Sequence, residues 1–108
     1  MVVVSVIRRS GKYHKLSIRG HADYADFGND IVCAAVSILT INTFNSIEEF
    51  TGDDIAVRST EKGGRLELSF KDIPSHDAGL LIDSMLFGLK QISQQYGDSY
   101  VTVNIKEE

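Results

Sequence analysis

The sequence is poor in cysteine and proline, with one of each among its 108 residues. The single cysteine, Cys33, cannot form an internal disulfide, which argues against a secreted domain held together by disulfides. A secretory signal places basic residues before apolar ones, whereas here valines precede Arg8 and Arg9. Together these features favour a cytoplasmic protein.

Long hydrophobic runs and a surplus of cations are also missing. The longest apolar run, residues 31–39, is interrupted by Ser37 and is too short to span a bilayer, so we expect no membrane partner. Eleven lysines and arginines face 15 acidic residues, for a net charge of −4, so no direct nucleic-acid partner is expected. The alternative that the net charge leaves open is a local basic patch on the first hairpin, at Arg8, Arg9, Lys12, Lys15 and Arg19.

Recognisable cofactor motifs are absent as well. The side chains that could ligate zinc, His14, His21, Cys33 and His76, do not have the spacing of a metal site. The glycines match neither a P-loop nor a dinucleotide fingerprint, and no serine has a G-x-S-x-G setting. We therefore predict neither a metal nor a cofactor.

What is present predicts one α+β domain covering residues 1–108, since 43% of the residues are hydrophobic and 24% charged. Alternating or β-branched segments predict strands at 2–9, 13–19, 55–59, 65–71 and 100–105. In the second strand, Tyr13, Lys15, Ser17 and Arg19 are expected on the face opposite Leu16 and Ile18. Helices are expected from Asp30 to about Phe50, and from an N-cap at Ser75 to Gly97. The order β-β-α-β-β-α-β favours a five-stranded, mostly antiparallel sheet with two helices.

Cys33 has two interpretations. A free cysteine usually packs as a small hydrophobe. If Asp30 is the N-cap, however, Cys33 is the third helical residue, where unpaired N–H groups and the helix dipole stabilise a thiolate. The sequence therefore marks Cys33 as a candidate nucleophile.

His21 follows the second strand and begins a loop that returns to Cys33. Imidazole titrates near neutral pH and can take a proton from a thiol and pass it to a leaving amine. Asp30 could orient His21 or only cap the helix, and Ser37, one helical turn after Cys33, could support the site or bond back to the Cys33 carbonyl. The loop is bounded by glycines and carries two aromatic residues that could contact a substrate or form a lid: Gly20, Tyr24, Phe27 and Gly28.

The segment GHADYADFGNDIVCAAVS, residues 20–37, resembles the signature of the ribosomal-processing cysteine protease family, Prp, of bacteria such as the Firmicutes. Length and element order agree over essentially the whole chain. The resemblance implies a cytoplasmic, homodimeric endopeptidase that removes the N-terminal extension from the precursor of large-subunit ribosomal protein twenty-seven, within an apolar, phenylalanine-containing segment. It also implies that His21 and Cys33 are the catalytic pair.

Two other functions remain as alternatives. A non-catalytic ribosome-associated binding module would keep Cys33 buried and unreactive. A thiol redox sensor would have a reactive Cys33 without peptide cleavage, but the sequence offers no resolving cysteine.

Overall fold

The computed structural model describes residues 1–20, 27–60, 64–97 and 100–108, with the α1 side chains described from residue 31 onward. Seven elements follow one another in the predicted order. They are β1 (Val2–Arg9), β2 (Lys12–Arg19), α1 (Phe27–Phe50), β3 (Ile55–Thr60), β4 (Arg65–Phe70), α2 (His76–Tyr96) and β5 (Val101–Glu107).

The five strands form one sheet in the order β3-β4-β2-β1-β5. Three neighbouring pairs are antiparallel, and β5 runs parallel to β1. The predicted α+β class and mostly antiparallel sheet are confirmed. Helix α1 joins β2 to β3 across the position of β4, and α2 joins β4 to β5 across the positions of β2 and β1.

Both helices pack on the same face of the sheet. The valines of β1 that face the helices, Val2, Val4 and Val6, are at most 3% exposed. They join one core with buried residues of the other strands and both helices, among them Leu16, Leu68, Val36, Ile47, Ile82 and Met85. Burying one aliphatic side chain of this size stabilises a fold by about 1.5–3 kcal/mol. The opposite face of the sheet is left without a covering element from the described residues.

The second strand differs from the predicted alternation at its start. The pairing of β1 with β2 shifts between Ile7 and Arg8, so that Arg8 faces Tyr13 while Ile7 faces Lys15. One extra residue, His14, is therefore accommodated in β2, as in a β-bulge. The shift turns Tyr13 to the helix face, where its hydroxyl donates a hydrogen bond to the Asp83 carboxylate of α2. The expectation that Tyr13 shares a face with Lys15 was wrong for this reason.

Helix α1 begins at Phe27, four residues before Ile31, the first helical residue predicted from a cap at Asp30. Asp30 consequently lies in the first turn and is not the N-cap, and Cys33 is the seventh helical residue instead of the third. Phe27 and Gly28, predicted in the loop, are helical. Local capping and glycine preferences are worth only about 1 kcal/mol each, so tertiary packing can extend a helix past them.

The apolar part of α1 is also longer than the expected run of residues 31–39. The segment Ile31–Phe50 has a mean hydropathy of 1.4 and is long and apolar enough to cross a membrane by length and composition, with 33% of it buried. Thr40 and Thr43 are buried within this helix, and their hydroxyls find partners because they donate to the carbonyls of Val36 and Leu39. Core helices pass the same test, and this one packs into the core.

The ends of α2 follow the sequence prediction. The Ser75 hydroxyl accepts a hydrogen bond from the Ala78 N–H at 3.1 Å, and the Gly97 N–H donates to the Ser93 carbonyl at 2.8 Å. The Asp53 carboxylate accepts the Ser75 N–H at 2.7 Å. Burial opposes ionisation of Asp53, but hydrogen bonds from Ser75 and Thr51 outweigh it and lower the pKa of its carboxyl. This contact joins the segment after α1 to the start of α2.

The Tyr13–Asp83 bond between sheet and helix predicts a loss of stability at high pH. Burial, followed by the bond to Asp83, raises the pKa of Tyr13 from 10.0 to about 12. Because the fold favours the neutral phenol, this contribution is complete below about pH 10 and is lost as the pH rises through about 12. We expect Tyr13→Phe to lower the free energy of unfolding near neutral pH by about 1 kcal/mol. It should also flatten the alkaline decline, measured by urea denaturation across this pH window. Parallel declines in both proteins would contradict the prediction.

Candidate functional site

Cys33 lies in a groove of about 330 Å³ where α1 passes over one end of the sheet. The apolar lining comes from both layers: Val2, Ile18, Val36, Ile41 and Leu66. The polar lining comes from α1, from the end of β3 and from the start of β4: Ser37, Thr40, Ser59, Thr60 and Arg65. Cys33 itself is half-buried and has a free thiol. The groove therefore offers a partly exposed sulfur beside an apolar surface, a setting in which a thiol can meet an apolar chain.

Gly20 lines the same groove and ends the strand that precedes His21 in sequence. Its φ is +83°, and a Cβ added here would lie 2.4 Å from the Met1 carbonyl oxygen. The chain thus leaves β2 through a conformation and a contact that only glycine accepts without strain. Gly20 was predicted as a boundary of a substrate loop, and the structure gives it a backbone role at the edge of the Cys33 groove.

Among the predicted site residues, the structure brings Gly20, Cys33 and Ser37 together in this groove. The Ser37 side chain is exposed, and within the described residues it does not bond back to the Cys33 carbonyl. His21 and Tyr24 lie outside the described residues, as do the side chains of Phe27 and Asp30. Their predicted roles remain predictions.

The later start of α1 changes how the helix can assist Cys33. The unpaired N–H groups at the start of a helix belong to its first turn, here residues 27–30, and the dipole effect fades beyond that turn. Cys33 is in the second turn, but helical side chains lean towards the N-terminus, which brings its sulfur towards the turn before it. The helix N-terminus is thus close to Cys33, but Cys33 does not lie in the first turn, where the sequence analysis placed it.

The β3–β4 hairpin contributes groove residues that sequence analysis missed, namely Ser59, Thr60, Arg65 and Leu66. They lie 26 to 33 residues after Cys33 in the chain. They reach it because β4 pairs with β2, for example Leu66 with Ile18. The positions of β3 and β4 were predicted, but no local signal in a sequence specifies which strands become neighbours.

Within the residues that the structure describes, no other cavity contains a cysteine, and no metal centre accompanies this groove. These residues contain no group of three or more His, Cys, Asp or Glu side chains arranged to hold a metal. A larger groove of about 610 Å³ lies between α2 and β5, with an apolar lining that includes Leu86, Phe87, Val103 and Ile105. Its lining contains no cysteine or histidine. Nucleophilic chemistry among the described residues therefore points to Cys33.

Comparison of the sequence with known proteins gives one family. The family model described as cysteine protease Prp matches residues 1–102. The ribosomal processing cysteine protease Prp of Staphylococcus aureus (strain Mu50) is 28% identical over 107 residues, covering 98% of this chain and 100% of that protein. Its namesake from Bacillus subtilis (strain 168) is 32% identical over 111 residues, covering 96% and 99%.

Solved structures give the same result for the fold. The S. aureus ribosomal processing protease Prp in complex with a substrate peptide superposes with a TM-score of 0.90 at 27% identity, covering 98% of this chain and 100% of that one. The same protease in complex with a covalently linked product peptide superposes with a TM-score of 0.87 at 28% identity, with the same coverage. The similarity therefore extends over the whole architecture, including the elements that form the Cys33 groove.

The geometry at Gly20 predicts a specific sensitivity to substitution. Gly20→Ala places a Cβ at positive φ and against the Met1 carbonyl, so we expect a loss of at least about 1–3 kcal/mol in the free energy of unfolding. The control is Gly79→Ala in α2, where a Cβ meets nothing within 4 Å and the helix gains about 0.5–1 kcal/mol. Urea denaturation of both variants measures the difference. Equal effects of the two substitutions would refute this role of Gly20.

Proposed function

The chain belongs to the cysteine protease Prp family, and from that premise we propose that Cys33 and His21 cleave the precursor of a ribosomal protein. The family is one of peptide hydrolases, so the chain is a cysteine endopeptidase. The observation that supports the assignment of the two residues is the groove: Cys33 and Gly20, the residue before His21, line it together. The two ends of the predicted catalytic loop thus meet at one place.

The proposed reaction has two steps. The Cys33 thiolate attacks the scissile carbonyl carbon, and the tetrahedral intermediate collapses to a thioester while His21 protonates the departing amine. His21 then removes a proton from water, which attacks the thioester carbonyl and releases Cys33 with the acid product. The S. aureus relative has been crystallised with a covalently linked product peptide, which supports covalent catalysis as the family's route.

Backbone amides are the proposed donors to the oxyanion of the intermediate. The N–H groups of residues 27–30 have no carbonyl partner within α1, and they belong to the turn that precedes Cys33. Donors of this kind need no rearrangement to stabilise a developing negative charge. Asp30 orienting the imidazole and Ser37 supporting the site stay as further parts of the proposal, together with Tyr24 and Phe27 as substrate contacts.

The substrate that we propose is the precursor of large-subunit ribosomal protein twenty-seven, cut within the apolar, phenylalanine-containing part of its N-terminal extension. The relatives are named for ribosomal processing, and one was solved with a substrate peptide. The apolar lining of the groove, with Val36, Ile41 and Leu66, suits the burial of an apolar substrate side chain. A cytoplasmic location accompanies this proposal, because ribosomal precursors are made there.

The two rival functions are less consistent with the groove. A binding module that keeps the motif for structure predicts a buried Cys33, whereas Cys33 is half-buried and lines an open groove. A redox sensor needs a resolving thiol, and Cys33 is the only cysteine in the chain.

We also propose a homodimer, joined through the apolar groove between α2 and β5. Phe87 and Ile105 beside this groove are 65% and 54% exposed. Large apolar side chains clustered at a surface favour burial against a partner, and aromatic residues are enriched at such interfaces. A second copy of the chain is the partner that the family resemblance implies.

Cleavage of a synthetic peptide tests the catalytic assignment. We expect the wild-type chain to cut a peptide spanning a phenylalanine-containing extension at a single internal bond, detected by mass spectrometry. Cys33→Ala removes the nucleophile and His21→Ala the proton carrier, so each should lower the rate at least about 1,000-fold. Ser46→Ala, a half-buried α1 position outside the groove lining, is the matched control and should keep wild-type activity.

Two outcomes would overturn the assignment. Undiminished cleavage by folded His21→Ala would remove His21 from the mechanism. Absence of any cut by the wild-type chain, together with slow alkylation of Cys33 at neutral pH, would favour the binding module.

Sedimentation analysis tests the dimer. We expect twice the mass of the chain for the wild type and the single mass for Phe87→Glu, because the charge would be buried at the proposed interface. Asn42→Glu on the exposed surface of α1 introduces the same charge elsewhere and should remain dimeric. A dimer that survives Phe87→Glu would place the interface on another surface.

A further inference from the structure

The uncovered face of the sheet has a different composition from the rest of the protein. Strand register assigns its residues, because directly paired residues share a face. One row runs from Asn104 through Ser5, Ser17 and Glu67 to Arg58. On one side of it, a second row runs from Lys106 through Ile7, Lys15 and Ser69 to Ala56. On the other side, a third row runs from Thr102 through Val3 to Arg19. Arg65 of β4 and its partner Thr60 of β3 belong to the same face.

Charge on this face is almost entirely positive. These rows contain five cations and a single carboxylate, Glu67, and the cations are Lys15, Arg19, Arg58, Arg65 and Lys106. The whole chain has 11 lysines and arginines against 15 acidic residues. The fold therefore concentrates almost half of the cations on one surface of a protein whose net charge is −4.

The single carboxylate does not neutralise the surface. Glu67 is 7% exposed and lies within 3.4 Å of the Lys15 ammonium and 3.1 Å of the Arg65 guanidinium. Arg19, Arg58 and Lys106 form no ion pair within the described part of the chain. At the border, Lys71 pairs with Asp54 and Arg9 pairs with Glu108, so these two pairs add no net charge.

A shallow depression of about 430 Å³ lies in this face, and its lining includes Lys15, Arg58, Arg65 and Glu67. Arg58 on β3 and Lys106 on β5 occupy opposite edges of the five-stranded sheet. With neighbouring strands about 4.8 Å apart, the two backbones are separated by roughly 19 Å. The cations thus form an array wide enough to meet several charges of one partner.

We propose that this basic face of the sheet binds the phosphate backbone of duplex RNA, where the choice of RNA over DNA rests on the proposed processing of a ribosomal protein. Regularly spaced phosphates match a broad array of cations, whereas an acidic peptide meets such an array with isolated carboxylates. The rows contain no aromatic residue on which an unpaired base could stack, which favours backbone contacts to a duplex over single-stranded recognition. The net charge argued against a nucleic-acid partner because it averages over surfaces that the fold keeps apart.

Binding to a labelled RNA duplex of about 16 base pairs tests this inference by fluorescence anisotropy. We expect a Kd of roughly 1–100 μM near physiological salt, and a Kd that rises steeply between about 50 and 200 mM salt. Arg58→Gln and Lys106→Gln should each reduce the slope of log Kd against log salt by about one, and the double variant by about two. Lys90→Gln removes the same charge from α2 and should leave the slope unchanged; because Lys90 lines the α2–β5 groove, sedimentation must first show that this variant keeps the wild-type mass.

Arg65 is kept in every variant because it also lines the Cys33 groove. Cleavage of the synthetic peptide by Lys106→Gln should stay at the wild-type rate, so that failure of RNA binding and failure of the proposed proteolysis can be told apart. Three results would overturn the inference: no binding at about 50 mM salt, an equal loss of slope in Lys90→Gln, or displacement of the duplex by polyglutamate at the same charge concentration.

Discussion

Burial of one face of the sheet beneath both helices is the interaction on which the rest of the structure depends. Most of the alternate residues of β1, β2 and β4 that face the helices are almost completely buried, and they meet a single core shared by α1 and α2. With both helices on one side, each strand must present its apolar residues in phase with its neighbours, since a slip of one residue would turn them to the open face.

One-sided packing also places the candidate site. Helix α1 must begin near the end of β2, because both contribute to the same core, and this brings Cys33 to the edge where β2 ends at Gly20. The β3–β4 hairpin completes the groove because β4 pairs with β2. Cys33 therefore occupies the margin between sheet and helix, where a thiol can be partly exposed beside an apolar surface.

The opposite face of the sheet is under different constraints because neither α1 nor α2 covers it. Its residues need only alternate with the buried set, so charge can gather there without disturbing the core. Glu67 illustrates the limit of this freedom: it is buried even on the open face, and Lys15 and Arg65 hold its carboxylate. A polar group removed from water needs such partners, and here they also set the positive character of the surface.

Much of the fold was determined by local sequence patterns. The order of the seven elements, the cap at Ser75 and the end of α2 at Gly97 follow from periodicity and capping chemistry, which act over a few residues. Cys33 could be singled out because it is the only thiol and follows a glycine-bounded loop.

Tertiary structure decided what local patterns do not specify: the bulge that turns Tyr13 inward, the start of α1 at Phe27, and the hairpin that completes the groove. It also separated five cations from the acidic majority. Each of these depends on which strands become neighbours and which face the helices cover. Strand order and helix placement depend on the free energy of packing the whole core, to which residues distant in the sequence contribute together.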